Sequence, residues 1–295
     1  IYVNRPRIEG PLDGATRVCS FNAGYAGNDA TLAGSAVSVT GSSAFFGNQA
    51  QNVGCKVPSE LCTHFSCNHY SDHTATLANG QPSGQGSLFD ARDSADIQLF
   101  AARIANNTVP WLFRTSGNIA PNASAIGVDT ALIYANSGTS LGMTQCAAGS
   151  CLFDMVASTV VGNTFAGPVF TNSPRDFVLQ ESIIDQPGVP LFAEYPSGTS
   201  STLAHLLYTS NHVSNIPTVR QGPPGFRNVA GMDYRLSDTS QAIDNLPARD
   251  GVDFTGRDRN VDITWRPDRL GPRDLGAVEA QLYEFSELIF GNGFD

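Results

Sequence analysis

A short apolar segment closed by asparagine or aspartate keeps returning between Ala44 and Asn211, and no other feature restricts the fold so strongly. It reads Ala44-Phe45-Phe46-Gly47-Asn48, Ala75-Thr76-Leu77-Ala78-Asn79, Ala102-Arg103-Ile104-Ala105-Asn106-Asn107 and Ala131-Leu132-Ile133-Tyr134-Ala135-Asn136. It continues as Thr159-Val160-Val161-Gly162-Asn163, Ser182-Ile183-Ile184-Asp185 and Leu206-Leu207-Tyr208-Thr209-Ser210-Asn211. The closing residues stand at 48, 79, 107, 136, 163, 185 and 211, in steps of 31, 28, 29, 27, 22 and 26. A drifting period in the twenties marks a solenoid, in which each turn of chain stacks on the last.

Helical repeats need long runs of helix formers with a 3.6-residue apolar pattern. This chain instead supplies short segments rich in Val, Ile, Phe, Leu and Thr, broken by Gly, Asn, Ser and Pro. Ala36-Val37-Ser38-Val39-Thr40, Pro168-Val169-Phe170-Thr171 and Asp176-Phe177-Val178-Leu179 are examples. A coil of this period holds about three such strands with their turns. The fold class is therefore all-β: a single-stranded parallel β-helix, right-handed by the general rule for parallel crossovers, with an irregular C-terminal cap. Eight or nine coils at about 4.8 Å each would give a rod about 40 Å long. Asparagine suits the corners because it tolerates left-handed backbone, and stacked side-chain amides hydrogen-bond along a column. The spacing predicts an asparagine ladder through Asn48, Asn79, Asn107, Asn136, Asn163 and Asn211.

A chain of 295 residues can run as one solenoid, and 15% charged residues with 29 glycines fit a β-rich, turn-rich protein. A formal charge of −10 without any basic run excludes a nucleic-acid surface. No apolar stretch reaches the length of a transmembrane span. The six cysteines form an even set in a chain poor in lysine, which points to an oxidising compartment and disulfides. Cys146 and Cys151 read as a local staple. Cys19, Cys55, Cys62 and Cys67 can form two bridges in three ways, which the sequence leaves open. The expected location is extracellular or on the outer cell surface. No signal peptide is legible at Ile1, and Ile1-Tyr2-Val3-Asn4 reads as a strand without a cap, so the chain is expected to begin partway along a longer solenoid.

The body is predicted over 1–219 and the cap with its tail over 220–295, because Arg220-Gln221-Gly222-Pro223-Pro224-Gly225 cannot be regular strand. Residues 51–73 break the rhythm and read as a cystine-pinned loop inserted in the body. Histidines at 64, 69 and 73 lie among its cysteines, and His64, His69 and His73 together are the candidate ligands for a transition metal. The spacing matches no zinc-finger pattern, so exposed histidines on a disulfide-pinned loop are the simpler reading.

From Tyr234 onward three motifs follow in order. Tyr234-Arg235-Leu236-Ser237-Asp238-Thr239-Ser240-Gln241-Ala242-Ile243-Asp244-Asn245 comes first, then Asp253-Phe254-Thr255-Gly256-Arg257-Asp258-Arg259, then Arg273-Asp274-Leu275-Gly276-Ala277-Val278-Glu279. Together they resemble the closing segment of bacterial secreted proteins of the pectate-lyase-like superfamily, in which a parallel β-helix is followed by a C-terminal anchor-type region. Gln241, Asn245 and Val278 depart from that pattern. The last residues, Glu287-Leu288-Ile289-Phe290-Gly291-Asn292-Gly293-Phe294-Asp295, resemble a short sorting tag of exported proteins. Physically, a solenoid end exposes an unpaired edge and an apolar core, and a polar segment folded over the last coil would cover both. Asp244, Asp253, Arg257, Arg259, Asp274 and Glu279 are the predicted ion pairs of that cap.

The resemblance implies, as one function, chemistry on acidic polysaccharides with clustered carboxylates, Ca²⁺ and an Arg or Lys base. The candidate carboxylates, Asp90, Asp93, Asp96, Asp129, Asp154, Asp176 and Glu181, show no clear alignment of three acids with Arg103 or Arg114. No catalytic residue is therefore assigned. The leading expectation is a non-enzymatic exported rod with a structural, adhesive or carbohydrate-contacting role, its partners polysaccharide, cell-surface components or other subunits of an extracellular assembly. A polysaccharide lyase or hydrolase is the second expectation and a metal-binding accessory protein using residues 55–73 the third. Ca²⁺ and a His-bound transition metal are the cofactors in view.

Overall fold

The computed structural model describes residues 87–92, 96–117, 124–146, 151–171, 177–193, 202–211 and 214–285, together with the backbone of six short strands between 17 and 71. Among these residues the chain is a parallel β-solenoid of about six turns with no α-helix. Three faces run along it. The first stacks Gly34–Thr40, Ser87–Arg92, Trp111–Gly117, Ser140–Cys146 and Phe170–Thr171. The second stacks Arg17–Val18, Ala44–Phe45, Asp96–Phe100, Ser124–Asp129, Cys151–Val156 and the first part of Phe177–Asp185. The third stacks Gly24–Ala26, His69–Ser71, Arg103–Ala105, Leu132–Tyr134, Thr159–Val161 and the last part of Phe177–Asp185. Thr202–Tyr208 extends the second and third faces, and Val219–Gln221 ends the third.

Alternation along each strand sends one set of side chains inward. On the second face these are Ile97 and Leu99, Ile126 and Val128, Phe153 and Met155, and Phe177 and Leu179; on the third they are Ile104, Ile133, Val160 and Ile184. The third face is buried on its outer side as well. Leu132, Tyr134, Val161, Ile183 and Leu207 point away from the coil interior and pack instead against Tyr234, Leu236, Leu246, Leu275, Ala277 and Val278. A parallel strand covered on both sides reads as an unbroken apolar run. That is why Ala131-Leu132-Ile133-Tyr134 and Ser182-Ile183-Ile184 lack alternation, and why the repeat was conspicuous.

The contacts of the C-terminal segment correct the expected placement of the cap. They run along the flank of several coils, not over the last one alone. Tyr234 packs against Tyr134 with the rings tilted and 5.1 Å between centroids. The Ala277 N–H donates to Thr159 Oγ1 at 2.9 Å, and the Gly276 N–H to the Glu181 carbonyl at 2.8 Å. Gly276 has φ +89°, and a Cβ there would lie 2.6 Å from Thr159 Oγ1 and 2.8 Å from Ile183 Cδ1, so glycine lets the segment lie against the sheet. The driving force is the apolar outer surface of the third face, which would otherwise be a broad exposed patch.

Two columns of left-handed residues make the corners. Between the second and third faces stand Ala101, Thr130, Ala157, Glu181 and His205, all at φ 48–55°. Beyond the third face stand Asn106, Ala135 and Gly162, at φ 59°, 53° and 60°. The ladder asparagines are the residues after these. Asn107 Nδ2 donates to Asn136 Oδ1 and Asn136 Nδ2 to Asn163 Oδ1, both at 2.8 Å. Their role is to satisfy backbone groups at the corner, not to adopt the left-handed conformation expected of them. A smaller hydroxyl ladder mirrors this at the other corner, where the Ala131 N–H donates to Ser158 Oγ and the Ser158 N–H to Ser182 Oγ.

The ladder stops after Asn163. Asp185 pairs in register with Val161, two residues short of the asparagine row, and Pro187 follows where an amide would be needed. Asn211 is exposed, its N–H donating to the Val189 carbonyl. Asn48 and Asn79 lie outside the described residues.

Candidate functional site

The three C-terminal motifs meet in space. The Asp244 N–H donates to Asp274 Oδ1 at 2.8 Å, the Glu279 N–H to Asp253 Oδ2 at 3.0 Å, and Arg259 donates to the Gly276 carbonyl. Asp253 Oδ1 also takes the Thr255 and Arg257 N–H groups and so closes that turn. Asp274 Oδ2 takes the Ala280 N–H at 2.7 Å, and the Glu279 carboxyl takes the Asp274 N–H. The predicted cap ion pairs are therefore mostly carboxylate-to-backbone bonds. Irregular chain has no ladder to satisfy its own N–H groups, and the carboxyl oxygens fill that need. Among the described residues Arg257 alone of the six makes a direct ion pair, with Glu284 at 2.9 Å. Arg227 and Arg235 join the same carboxylate.

Burial pushes both Asp274 and Glu279 up from the ordinary carboxylate range; the charge of Asp274 adds to the rise at Glu279, and that of Asp244 to the rise at Asp274. A carboxyl raised by folding stabilises the native state while protonated and ceases to do so as pH climbs through its raised value. The protein is thus expected to lose stability on moving from mildly acidic to alkaline pH. Glu279→Gln, which keeps an acceptor for the Asp274 N–H without the charge, should flatten that decline. Midpoints of chemical denaturation across pH for both proteins check this, and an equal alkaline loss in the variant would refute it.

A second cluster lies at the seam between the second face and the C-terminal segment. Register puts Asp154 opposite Gly127, two residues before the row of Asp129, while Glu181 occupies the corner column one residue beyond that row. Burial raises Asp129, against a hydrogen bond from Thr130 Oγ1 at 2.8 Å and the charges of Arg259 and Arg249. Burial and the neighbouring Asp129 raise Asp154, whose Oδ1 meets no donor among the described residues. Burial acts on Glu181 in the same sense, but the guanidinium of Arg273 at 3.0 Å, with Arg249 and Arg259, outweighs it and holds Glu181 below its usual range. Carboxyls driven apart in this way are the raw material of acid/base pairs. Arg273, only 2% exposed, is committed to Glu181 and to the Pro247 carbonyl, so it fastens the segment and offers no free base.

A third feature is a cavity of about 190 Å³ between the last coils and the C-terminal segment, lined by His205, Thr218, Arg220, Asn245, Arg269 and Leu275 among others. No carboxylate lines it, and neither Arg220 nor Arg269 makes an ion pair among the described residues. Arg220 donates to Asn245 Oδ1 and the Gln241 carbonyl, which aims its guanidinium. Burial, and then the charge of Arg269, lower its pKa. An unneutralised cationic hole is unexpected in a chain of net charge −10. Sequence reading passed over it because Arg220 and Arg269 are 49 residues apart, and only the folding of the segment against the coils joins them.

The remaining candidates fall elsewhere. Asp90 and Arg114, from adjacent coils of the first face, form a buried two-bond pair at 3.0 and 2.7 Å. Arg103 donates to the Tyr134 hydroxyl and braces the contact with Tyr234. His69 begins the strand His69–Ser71 and Asp96 the strand Asp96–Phe100, while the side chains of His64, His69, His73 and Asp96 lie outside the described residues, as do Asp93 and Asp176. Cys151 is buried and disulfide-bonded; the side chain of Cys146 and the residues Cys19, Cys55, Cys62 and Cys67 all lie outside the described residues.

Comparison with protein-family models, with curated proteins and with solved structures finds no match to this chain. What fold and site define is a parallel β-solenoid with a C-terminal segment bound along one flank.

Proposed function

We propose that this chain is an exported, non-catalytic β-helix that holds an acidic glycan, the carboxylate of a uronic acid entering the cavity between Arg220 and Arg269. The observation that carries this reading is a cavity with two guanidiniums, an imidazole, a hydroxyl and an amide, and no carboxylate to neutralise them. Charge-assisted bonds from guanidinium to carboxylate are strong and directional, while Leu270 and Leu275 supply an apolar wall for a sugar ring. The likeness of the C-terminal motifs to anchor-type regions of pectate-lyase-like secreted proteins supports export and surface attachment. A disulfide at Cys151 fits the same setting.

Calorimetric titration with oligomers of galacturonate, alginate and a neutral glucan tests the reading. Acidic oligomers should bind and the neutral one should not. Arg269→Ala, an exposed side chain, should weaken binding about tenfold or more without moving Tm, and added salt should weaken it too. Absence of binding to any acidic oligomer would end the proposal.

A lyase or hydrolase is the second reading, favoured by the raised Asp129 and Asp154 on the second face. Against it, the oxygens of Asp129, Asp154 and Glu181 do not converge within the 4.8 Å reach of a shared cation. Release of unsaturated or reducing ends from the same oligomers would establish it in place of the first.

A further inference from the structure

We propose that Asp244, Asp262 and Asp268 form a calcium site that fastens the C-terminal segment. One carboxylate oxygen from each lies within 4.8 Å of the other two. Two ligands about 2.4 Å from one Ca²⁺ can stand at most about 4.8 Å apart, so the three oxygens fit a common ion. A cluster of acids alone would carry little, since exposed carboxylates often gather without a metal. Asp244, however, is only 1% exposed. Its Oδ1 receives one long bond, from the Ile263 N–H at 3.4 Å, and its Oδ2 meets no donor among the described residues.

A buried carboxylate with an oxygen that lacks a donor, gathered with two further carboxylates, is costly unless a cation completes it. Arg266, the nearby cation acting on Asp244, is turned to the Asp238 carbonyl. An all-oxygen donor set suits hard cations over the softer transition metals. Two exposed carboxylates, free to bind through one or both oxygens, suit the large and variable shell of Ca²⁺ better than the strict octahedron of Mg²⁺.

The site joins chain around 244, 262 and 268, each in a segment without α-helix or long strand. Its occupancy would tie these three segments to one another. Asn245 and Arg269 are the next residues along, but the assignment stands apart from the glycan reading and is read out by metal alone.

The experiment uses the full chain stripped with a chelator, then titrated with Tb³⁺. Trp265 lies three residues from both Asp262 and Asp268 and serves as the sensitiser. The expected result is saturable luminescence near one equivalent, displaced by Ca²⁺ more readily than by Mg²⁺, with Tm rising on Ca²⁺ addition. The double variant Asp262→Asn/Asp268→Asn alters exposed side chains, and should lose affinity about tenfold or more while keeping the chelated protein's Tm. Asp250→Asn, an exposed acid of the same segment, should bind as the parent does. Lack of saturable binding, or binding undiminished in the double variant, overturns the assignment.

Discussion

Replacing Phe153 by alanine should lower stability by about 3–5 kcal/mol. The first face carries a phenylalanine column at Phe89, Phe113 and Phe170, but the coil between Phe113 and Phe170 has Gly142 in that row. Phe153, from the second face of the same coil, fills the gap. Its ring lies 5.4 Å from Phe113, 5.5 Å from Phe170 and 5.9 Å from Phe177, and it is 1% exposed. Those contacts join rings of three successive coils, and Phe192 extends the series at 5.7 Å from Phe170. Alanine would leave a cavity in the solenoid interior, where strands pinned by parallel pairing on both sides cannot collapse to fill it. The neighbouring Leu152 points outward and is 36% exposed, so Leu152→Ala should change stability by no more than about 0.5 kcal/mol. Denaturation midpoints decide the matter. Similar small losses in both variants would mean that the phenyl series does not hold the coils together.

The solenoid was legible because its repeat is written in residue types with few substitutes. Buried parallel strands need apolar runs, and a corner amide that bonds both up and down the stack needs asparagine, so Asn107, Asn136 and Asn163 stand out at their spacing. Where chemistry has substitutes the reading failed. The other corner column uses Ala101, Thr130, Ala157, Glu181 and His205 in left-handed backbone, and nothing in those five residue types announces a turn. Asp185 matched the repeat by letter but sits two residues off the row. Register is a matter of counting from the strand, and the 22-residue step concealed a shortened coil.

The sites divide along the same line. The C-terminal motifs were recognised as a unit, yet their carboxylates were assigned to arginines and mostly bind backbone N–H groups instead. Opposite charges in a sequence suggest each other, whereas unsatisfied backbone donors appear only once the chain is known to be irregular. The Arg220–Arg269 cavity and the Asp244–Asp262–Asp268 cluster were invisible for a simpler reason. Each is assembled by loops whose mutual placement depends on the third face being apolar outside as well as inside. The uninterrupted runs at 131–134 and 182–184 already carried that information.

Asn136→Leu should cost about 4 kcal/mol, from a change that barely alters side-chain volume. Asn136 is 1% exposed and every polar atom of its side chain is engaged. Oδ1 takes the Asn107 N–H at 3.0 Å and Asn107 Nδ2 at 2.8 Å, while Nδ2 donates to Asn163 Oδ1, the Ile104 carbonyl and the Tyr134 carbonyl. Leucine would strand a buried N–H and two carbonyls at once, each worth about 1–3 kcal/mol when left without a partner. Asn163, at the end of the ladder and half-buried, gives its Nδ2 to the Ile133 and Val161 carbonyls, and water can replace part of what it supplies. Asn163→Leu should therefore cost about half as much. The double variant should cost less than the sum of the two, because the Asn136–Asn163 bond is lost only once. Full additivity would show that the amides act as independent corner bonds and not as a ladder, and a loss under about 1 kcal/mol at Asn136 would show that the corners hold without them.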